Sequence, residues 1–212
     1  MLWGDGMKVR TEEKREAIIE AAIQLFAEMG YERASMNELV KRLGGSKGTI
    51  YGYFSSKEEL FVAVVRASAT GHLGDAIREL ASGAVAGQAA LESTLLRFAE
   101  RMLLVTLNDE RSLAVYRMVV AESGRSDVGQ LFYDSGPREC MSALAQLFAS
   151  AMERGELRKA DPRLTASQFT SLVTAEVQLR IYQRDPPLLT LRQVRQMAKS
   201  AVELFFRGAG PQ

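Results

Sequence analysis

Apolar residues recur along this chain at the three- and four-residue spacing of amphipathic helices. In the stretch from Glu12 to Met29, for example, Ile18, Ala22, Leu25 and Phe26 fall on one face of a helix. No run of β-branched residues alternates with polar ones between turns, as a half-buried strand would. The pattern therefore predicts an all-α fold.

Capping residues and glycines divide the N-terminal quarter into short helices. Ser35 is placed to cap one short helix and Ser46 the next, and Gly44–Gly45 separates these two helices. The capping box at 56–59 opens a longer helix that we expect to reach about Leu80. Two short helices joined by a glycine turn are a helix-turn-helix arrangement.

The C-terminal half predicts a bundle of longer helices. The segment 165–184 is apolar around most of its circumference, and the last helix carries an apolar stripe from Leu191 through Val202 to Phe205. Such surfaces would leave a large apolar patch on a lone chain, so we expect them to pair with a second copy in a homodimer. The predicted helices are 88–107, 110–123, 127–135, 137–154, 165–184 and 190–207.

Composition narrows the functional classes. Apolar residues make up 47% and charged residues 25% of the 212 positions, which is typical of a globular protein without membrane partners. The single cysteine, Cys140, and the single histidine, His72, argue against disulfides and multi-ligand metal sites, so we expect a reducing cytoplasm, no metal and no cofactor. No G-x-S-x-G, H-E-x-x-H or D-D-x-x-D motif occurs, and an enzyme is not expected.

The net charge of +1 hides a local excess of basic residues. Five basic residues and one acid lie between Arg33 and Lys57, around the predicted glycine turn. A local patch matters because salt screens each charge within about 10 Å. Charge alone leaves two interpretations open, a surface for DNA and an ordinary solvated helix face.

The motifs around this turn resemble a known family. Positions 46–54 read S-K-G-T-I-Y-G-Y-F, positions 26–31 read F-A-E-M-G-Y, and positions 51–57 read Y-G-Y-F-S-S-K. In these motifs the stretch from Arg15 to Phe61 resembles the TetR/AcrR family of bacterial transcriptional regulators. The resemblance implies an N-terminal three-helix helix-turn-helix domain that binds double-stranded DNA.

The C-terminal half resembles the AefR-like effector domain of that family. The motifs are Y-R-M-V-V-A-E-S at 116–123 and L-F-Y-D-S-G-P at 131–137. The two resemblances imply a DNA-binding domain at 1–56 and a helical-bundle domain for ligand binding and dimerisation at 57–212. They also imply that the long helix after residue 57, which carries His72, transmits ligand binding to the DNA-binding domain.

Residue chemistry supports the DNA-binding interpretation. Lys47 would reach phosphate or a base edge from the first turn of its helix, and Gly48 would let the backbone approach closely. Lys57 would contact phosphate beside the free N–H groups of the next helix. The hydroxyls of Tyr51 and Tyr53 suit phosphate, although their rings also suit an aromatic core. The predicted DNA contacts are Ser35, Ser46, Lys47, Gly48, Thr49, Tyr51, Tyr53 and Lys57.

Three charged residues lie on apolar helices of the C-terminal half. Arg117 is in the middle of helix 110–123, and Glu176 and Arg180 are one turn apart on helix 165–184. A buried charge needs a partner, so these residues form either a structural ion pair or the polar anchor of a ligand pocket. The predicted pocket residues, of which the apolar ones also suit a packed core, are His72, Phe98, Met102, Tyr116, Arg117, Phe148, Phe169, Val173, Glu176 and Arg180.

Together these observations predict a ligand-responsive regulator, in the form of a repressor. It would bind a palindromic operator as a dimer and be released by a small, mostly apolar effector held between helices 88–107, 110–123, 137–154 and 165–184. The alternative is a constitutive DNA-binding dimer without a ligand, which a solidly packed interior would favour.

Overall fold

A computed structural model describes residues 11–70, 77, 78, 80, 87–107 and 110–211. Every regular element in this part of the chain is helical, which confirms the predicted all-α fold. None of the described helices is both long and apolar enough to cross a membrane. The helices are α1 (Glu12–Met29), α2 (Met36–Leu43), α3 (Lys47–Tyr53), α4 (Lys57–Val65), α5 (Gln88–Leu107), α6 (Glu110–Glu122), α7 (Val128–Asp134), α8 (Pro137–Glu153), α9 (Pro162–Val173), α10 (Val177–Ile181) and α11 (Leu191–Ala209).

The four N-terminal helices begin in the same way. Each is preceded by a Ser or Thr, namely Thr11, Ser35, Ser46 and Ser56, whose side chain accepts the backbone N–H three residues later. These bonds satisfy N–H groups that have no partner within the helix. Gly44 ends α2 with a φ of 65°, a left-handed conformation that suits glycine.

Helix α4 differs from the prediction that one α-helix continues to about Leu80. Its α-helical geometry ends at Val65 and widens into a π-helical turn, Arg66–Thr70. The backbone carbonyl of Ser68 in this turn accepts a hydrogen bond from the Ser112 hydroxyl of α6. A side chain inserted at a backbone carbonyl is one recognised cause of such irregular turns. Residues 71–76, with His72, lie outside the described part of the chain.

The predicted helix 165–184 is also wrong as a single element. It begins earlier, at Pro162 with Asp161 as its cap, and it breaks between α9 and α10. At the break, the Thr174 hydroxyl donates to the Thr170 carbonyl, and the Val177 N–H bonds to the Thr174 carbonyl three residues back. Such tight turns and side-chain bonds compete with the regular helical ladder.

Two hydrophobic cores organise the chain. The N-terminal core joins α1 to α4 and also contains Val115, Met118 and Val119 of α6. The C-terminal core joins α5, α8, α9 and α11 around Phe148, whose ring centroid lies 5.2 Å from that of Phe205. Helix α6 therefore packs into the N-terminal core, although it lies in the C-terminal half of the sequence.

The apolar stripe of α11 faces inward. Val202 and Phe205 of the predicted stripe are 2% and 4% exposed within a single chain, so the prediction that these two residues contact a second copy is wrong, whereas Leu191 at the start of the stripe is 58% exposed. A stripe that completes its own core is unavailable to a partner. The exposed large apolar side chains nearby are Leu164, Leu179, Tyr182, Leu188, Leu191 and Leu204.

Arg117 has a structural partner that the sequence did not indicate. Its guanidinium donates to the carbonyls of Arg180 and Ile181, both at 3.0 Å, and to the carbonyls of Gln183 and Arg184. These carbonyls lie at and just after the C-terminus of α10, where a cation is favoured. Arg117 thus fixes α10 against α6.

We expect Arg117→Met to lower the free energy of unfolding by about 1.5–3 kcal/mol, because several carbonyls lose a charged hydrogen-bond donor. Denaturant unfolding would measure the change. Arg125→Met, at an exposed arginine just beyond α6, is the matched control and should leave stability unchanged. An unaltered stability for Arg117→Met would contradict the capping role.

Candidate DNA-binding surface and ligand cavity

Helix α3 presents a small exposed face next to the turn that follows α2. Ile50 and Phe54, 1% and 2% exposed, anchor the helix in the N-terminal core. Lys47 and Tyr51 lie on the outer side, with the Lys47 ammonium 5.8 Å from the centre of the Tyr51 ring. The two residues are one helical turn apart, and their contact places a cation beside a phenol side chain at the surface.

The two glycines of α3 carry no side chain, so the exposed face of the helix is close to its backbone at these positions. A Cβ atom on Gly48 would meet only the Ser46 hydroxyl, at 4.0 Å, and one on Gly52 would meet no described atom within 4 Å. Packing within the chain therefore does not require a glycine at either position. They leave the backbone open to the close approach of a groove wall.

Other predicted DNA contacts have structural partners. Tyr53 is half-buried, and its hydroxyl accepts the Thr11 backbone N–H at 3.0 Å. The Lys57 ammonium donates to the Tyr31 carbonyl at 3.0 Å and lies 4.2 Å from the centre of the Tyr31 ring. The contacts of Tyr53 and Lys57 join helices to one another, and their contact with DNA stays a prediction. Ser35, Ser46 and Thr49 lie at the starts of α2 and α3, and Ser46 and Thr49 share a 2.7 Å hydrogen bond.

The predicted basic patch is partly neutralised. Arg42 forms an ion pair with Glu28 of α1, which raises the pKa of the arginine through a hydrogen bond between the side chains. Lys41 pairs with Glu38 at 3.1 Å. Lys47, near the start of α3, is therefore the most direct candidate for a phosphate or base contact.

A cavity of about 300 Å³ lies between α5, α6, α8, α9 and α10, within the bundle where the sequence predicted an effector. Its wall combines aliphatic side chains with the sulfur atoms of Met102, Cys140 and Met141. Tyr116 and Phe132 form part of the wall, with ring centroids 6.0 Å apart in an edge-to-face arrangement. Burial raises the pKa of the Cys140 thiol to about 12, so this group is neutral near pH 7.

The predicted pocket residues separate into distinct groups. Met102 and Tyr116 lie on the cavity wall. Phe98, Phe148, Phe169 and Val173 lie outside the described lining, in the C-terminal core. The aromatic rings fill that core, since the Phe169 centroid is 6.3 Å from that of Phe98 and 5.8 Å from that of Phe148.

The predicted charged anchors also lie outside the described lining of the cavity. Arg117 binds the carbonyls after α10, and Arg180 is 8% exposed and donates to the Pro187 carbonyl. Glu176 is exposed at the break before α10, and no ion pair between described residues joins it to Arg180. The break at 174–176 removed the regular helical spacing on which the predicted pair depended.

The cavity wall includes hydroxyl residues that the sequence analysis did not select. Thr106, Thr170 and Thr174 lie on it and are half-buried. The four-residue spacing of Thr170 and Thr174 was the available signal, because such residues share one side of a helix.

A second, larger depression has different chemistry. It is an open groove of about 620 Å³ along α1 and the π-helical turn, and charged residues such as Glu13, Glu16 and Arg111 line it. Its charged lining does not suit an apolar effector. Among the described residues, no group of three or more His, Cys, Asp or Glu side chains is placed to hold a metal ion.

Helix α6 connects the cavity with the DNA-binding region. Leu113 and Tyr116 line the cavity, whereas Met118 and Val119 are buried in the N-terminal core. At the start of α6, Arg111 forms a 2.9 Å ion pair with Glu20 of α1. The family resemblance implied transmission through the helix after residue 57, and the packing of α6 against both regions was not predicted.

The end of α6 is fastened to the turn between α1 and α2. The Glu122 carboxylate accepts the backbone N–H of Glu32 at 3.0 Å. Gly30, with a φ of 78°, makes this approach possible, since a Cβ atom there would lie 2.0 Å from a Glu122 carboxylate oxygen. The glycine thus serves both a left-handed backbone and a close contact between the two halves of the chain.

Two family models match the chain. The model of bacterial regulatory proteins of the tetR family matches residues 18–64. The model of the AefR-like transcriptional repressor C-terminal domain matches residues 93–208, more than half of the chain.

Solved structures match over nearly the whole length. A TetR-family regulator from Mesorhizobium loti is 26% identical with a TM-score of 0.71, and the match covers 95% of this chain and 100% of the other. The flavonoid-responsive regulator FrrA is 32% identical with a TM-score of 0.67, at the same coverage.

Curated sequence relatives match over a shorter stretch. The transcriptional repressor AcnR of Corynebacterium diphtheriae is 45% identical over 56 residues, 26% of this chain and 30% of AcnR. The chain spans about a third of the length of the first curated relatives it matches.

We expect Glu122→Ala to speed hydrogen exchange at the Glu32 amide by roughly tenfold, because a lost hydrogen bond of about 1.4 kcal/mol is a factor of ten. Glu122→Gln keeps an acceptor oxygen and should cause a smaller change. Exchange measured by NMR or mass spectrometry would test both variants. Equal exchange rates in the parent and Glu122→Ala would contradict a contact between α6 and this turn in solution.

Proposed function

This chain belongs to the TetR family of bacterial transcriptional regulators, with an AefR-like C-terminal domain, and from that premise we propose a ligand-responsive repressor that binds a palindromic operator as a homodimer in the cytoplasm. The family consists of DNA-binding regulators, so the chain is a regulator and not an enzyme. The observation that carries ligand response is the position of α6, which is shared by the cavity and the N-terminal core.

The proposed DNA contact runs through α3. Lys47 and Tyr51 extend from its exposed face, and Gly48 and Gly52 leave space for the groove wall. In helix-turn-helix proteins the second helix of the motif enters the major groove with its N-terminal residues at the base edges. Lys47 occupies that N-terminal position and would contact a guanine edge or a phosphate.

The proposed dimer rests on the exposed apolar residues near the end of the chain. Leu179, Tyr182 and Leu204 are 66%, 84% and 56% exposed in a single chain. Burying such side chains stabilises a contact by about 25 cal/mol per Å² of apolar surface. A symmetric dimer would bring two copies of α3 to the two half-sites of a palindrome.

The proposed ligand response requires that the ligand favour one of two conformations. A tenfold loss of operator affinity requires about 1.4 kcal/mol of preference for the conformation that does not bind DNA. A ligand in the cavity would exert it through Leu113 and Tyr116, since α6 continues into the N-terminal core. FrrA, described as flavonoid-responsive, and the repressor AcnR support response and repression by similarity.

The alternative of a constitutive DNA-binding dimer has less support. It predicts an interior without space for an effector. The cavity of about 300 Å³ is at the lower end of the range of small-molecule sites, and a closely packed core leaves few voids larger than a water molecule.

For DNA binding, we expect Lys47→Ala to weaken operator affinity by about 1–3 kcal/mol, because a base or charged phosphate contact is lost. Fluorescence anisotropy with an operator obtained by in vitro selection would measure it. Lys199→Ala, which removes an exposed lysine of α11, is the control and should bind like the parent. Equal affinity of Lys47→Ala and the parent at several salt concentrations would overturn the role assigned to α3.

For the dimer, we expect Leu204→Arg to convert the dimer to monomer at micromolar concentration and to weaken operator binding with it. The charge would enter an apolar contact between chains. Val120→Arg is the matched control, because Val120 is 55% exposed against 56% for Leu204 but lies on α6. Analytical ultracentrifugation would measure whether the parent and each variant sediment as dimer or monomer. A parent chain that sediments as a monomer would refute the dimer, and a dimeric Leu204→Arg would exclude this surface.

A further inference from the structure

The cavity has a chemical character that narrows its ligand. Hydroxyl groups, the Gln178 amide, sulfur-containing side chains and aromatic rings interrupt an otherwise aliphatic wall. We propose that the cavity binds a neutral aromatic molecule of about two rings that carries a hydroxyl donor, in other words a phenol. This inference rests on the proposed function, in which the same cavity is the effector site.

Neutrality follows from the lining. None of the described residues that form the wall carries a charge, and the Cys140 thiol on the wall is buried and protonated. The nearby arginines Arg117 and Arg180 are directed to backbone carbonyls instead. A carboxylate or phosphate would lose its water in such a site without gaining a counter-charge, which disfavours charged ligands strongly.

The donor follows from the three half-buried threonines. Thr106 donates its hydroxyl proton to the Met102 carbonyl at 2.8 Å, and Thr174 donates to the Thr170 carbonyl at 2.8 Å. Thr170 donates to the carbonyls of Ala166 and Ser167, both at 3.0 Å. Each hydroxyl has one proton, and these protons are already used. These three threonine oxygens therefore offer only lone pairs, which match a ligand O–H or N–H. The lining residues that can donate, Tyr116, Ser171 and Gln178, are exposed.

The volume of the cavity and the polarisable groups on its wall favour a ligand with aromatic rings. A cavity of about 150 Å³ is enough for benzene, so 300 Å³ corresponds to about two rings. Met102, Met141 and Cys140 supply polarisable sulfur, which interacts favourably with aromatic rings. Tyr116 and Phe132 supply ring edges and faces for an offset or edge-to-face contact.

Three biphenyl probes of similar size separate these features. 4-Hydroxybiphenyl is neutral and has a donor, 4-fluorobiphenyl has nearly the same shape without a donor, and biphenyl-4-carboxylate carries a charge. Calorimetry on the full chain at pH 7 should give 4-hydroxybiphenyl an affinity about tenfold higher than either analogue, as expected for one satisfied hydrogen bond. Equal affinity of 4-fluorobiphenyl would overturn the donor, and equal or tighter binding of the carboxylate would overturn neutrality. Failure of all three to bind would overturn the proposal.

Variants of the threonines locate the acceptor. Thr170→Val and Thr106→Val remove a hydroxyl and keep the branched shape, and at least one should weaken 4-hydroxybiphenyl by three- to tenfold without changing 4-fluorobiphenyl. Thr165→Val is the matched control, since Thr165 is a buried threonine of α9 that donates to the Asp161 carbonyl at 2.8 Å but lies outside the described lining. Binding of 4-hydroxybiphenyl that none of these substitutions alters would overturn the threonine acceptors.

Operator release is measured separately from binding, by anisotropy with the selected operator. Tight binding of 4-hydroxybiphenyl without release supports the ligand class and contradicts the proposed ligand response. Release by biphenyl-4-carboxylate alone supports the ligand response and overturns the ligand class.

Discussion

The position of α6 is the constraint on which the rest of the structure depends. This helix contributes Val115, Met118 and Val119 to the N-terminal core, where each is less than a tenth exposed, and Val115 also lines the cavity. Another side closes the cavity with Leu113 and Tyr116. Protein interiors are packed closely, so a helix that belongs to two regions cannot shift in one without disturbing the other. The arrangement connects the cavity in the C-terminal half physically with the N-terminal helices.

Polar contacts give α6 a fixed position along its length. The Arg111–Glu20 ion pair holds its start, and the hydrogen bond from the Glu32 amide to Glu122 holds its end. An exposed ion pair stabilises a protein by only about 0–1 kcal/mol. The buried apolar side chains therefore contribute most of the free energy that holds α6 against the N-terminal helices. The polar contacts instead define register and direction. Gly30 shows how closely the parts are fitted, because any side chain there would collide with the Glu122 carboxylate.

The all-α fold, the caps of the N-terminal helices and the helix-turn-helix motif were predictable from the sequence, because they depend on local rules, whereas the interruptions after Val65 and Val173 were not. Ser35, Ser46 and Ser56 each cap the helix they precede, as their positions predicted. The site was less predictable because side-chain direction depends on tertiary contacts. Arg117 was recognised as a charge in need of a partner, but its partners are carbonyls more than 60 residues away. The break after Val173 turned Glu176 outward and left Arg180 buried.

Arg117 also extends the influence of α6 to a third region. Its guanidinium holds the C-terminus of α10, the short helix that lines the cavity with Val177 and exposes Leu179. A single helix therefore contacts the N-terminal core, the cavity and the helix α10 that supports the proposed dimer surface. Coupling between binding sites is reciprocal, so a ligand that weakens DNA binding through α6 must itself bind more weakly when DNA is bound. In the proposed dimer, a shift of α6 in each copy would change the separation of the two α3 helices and therefore their fit to a palindromic operator.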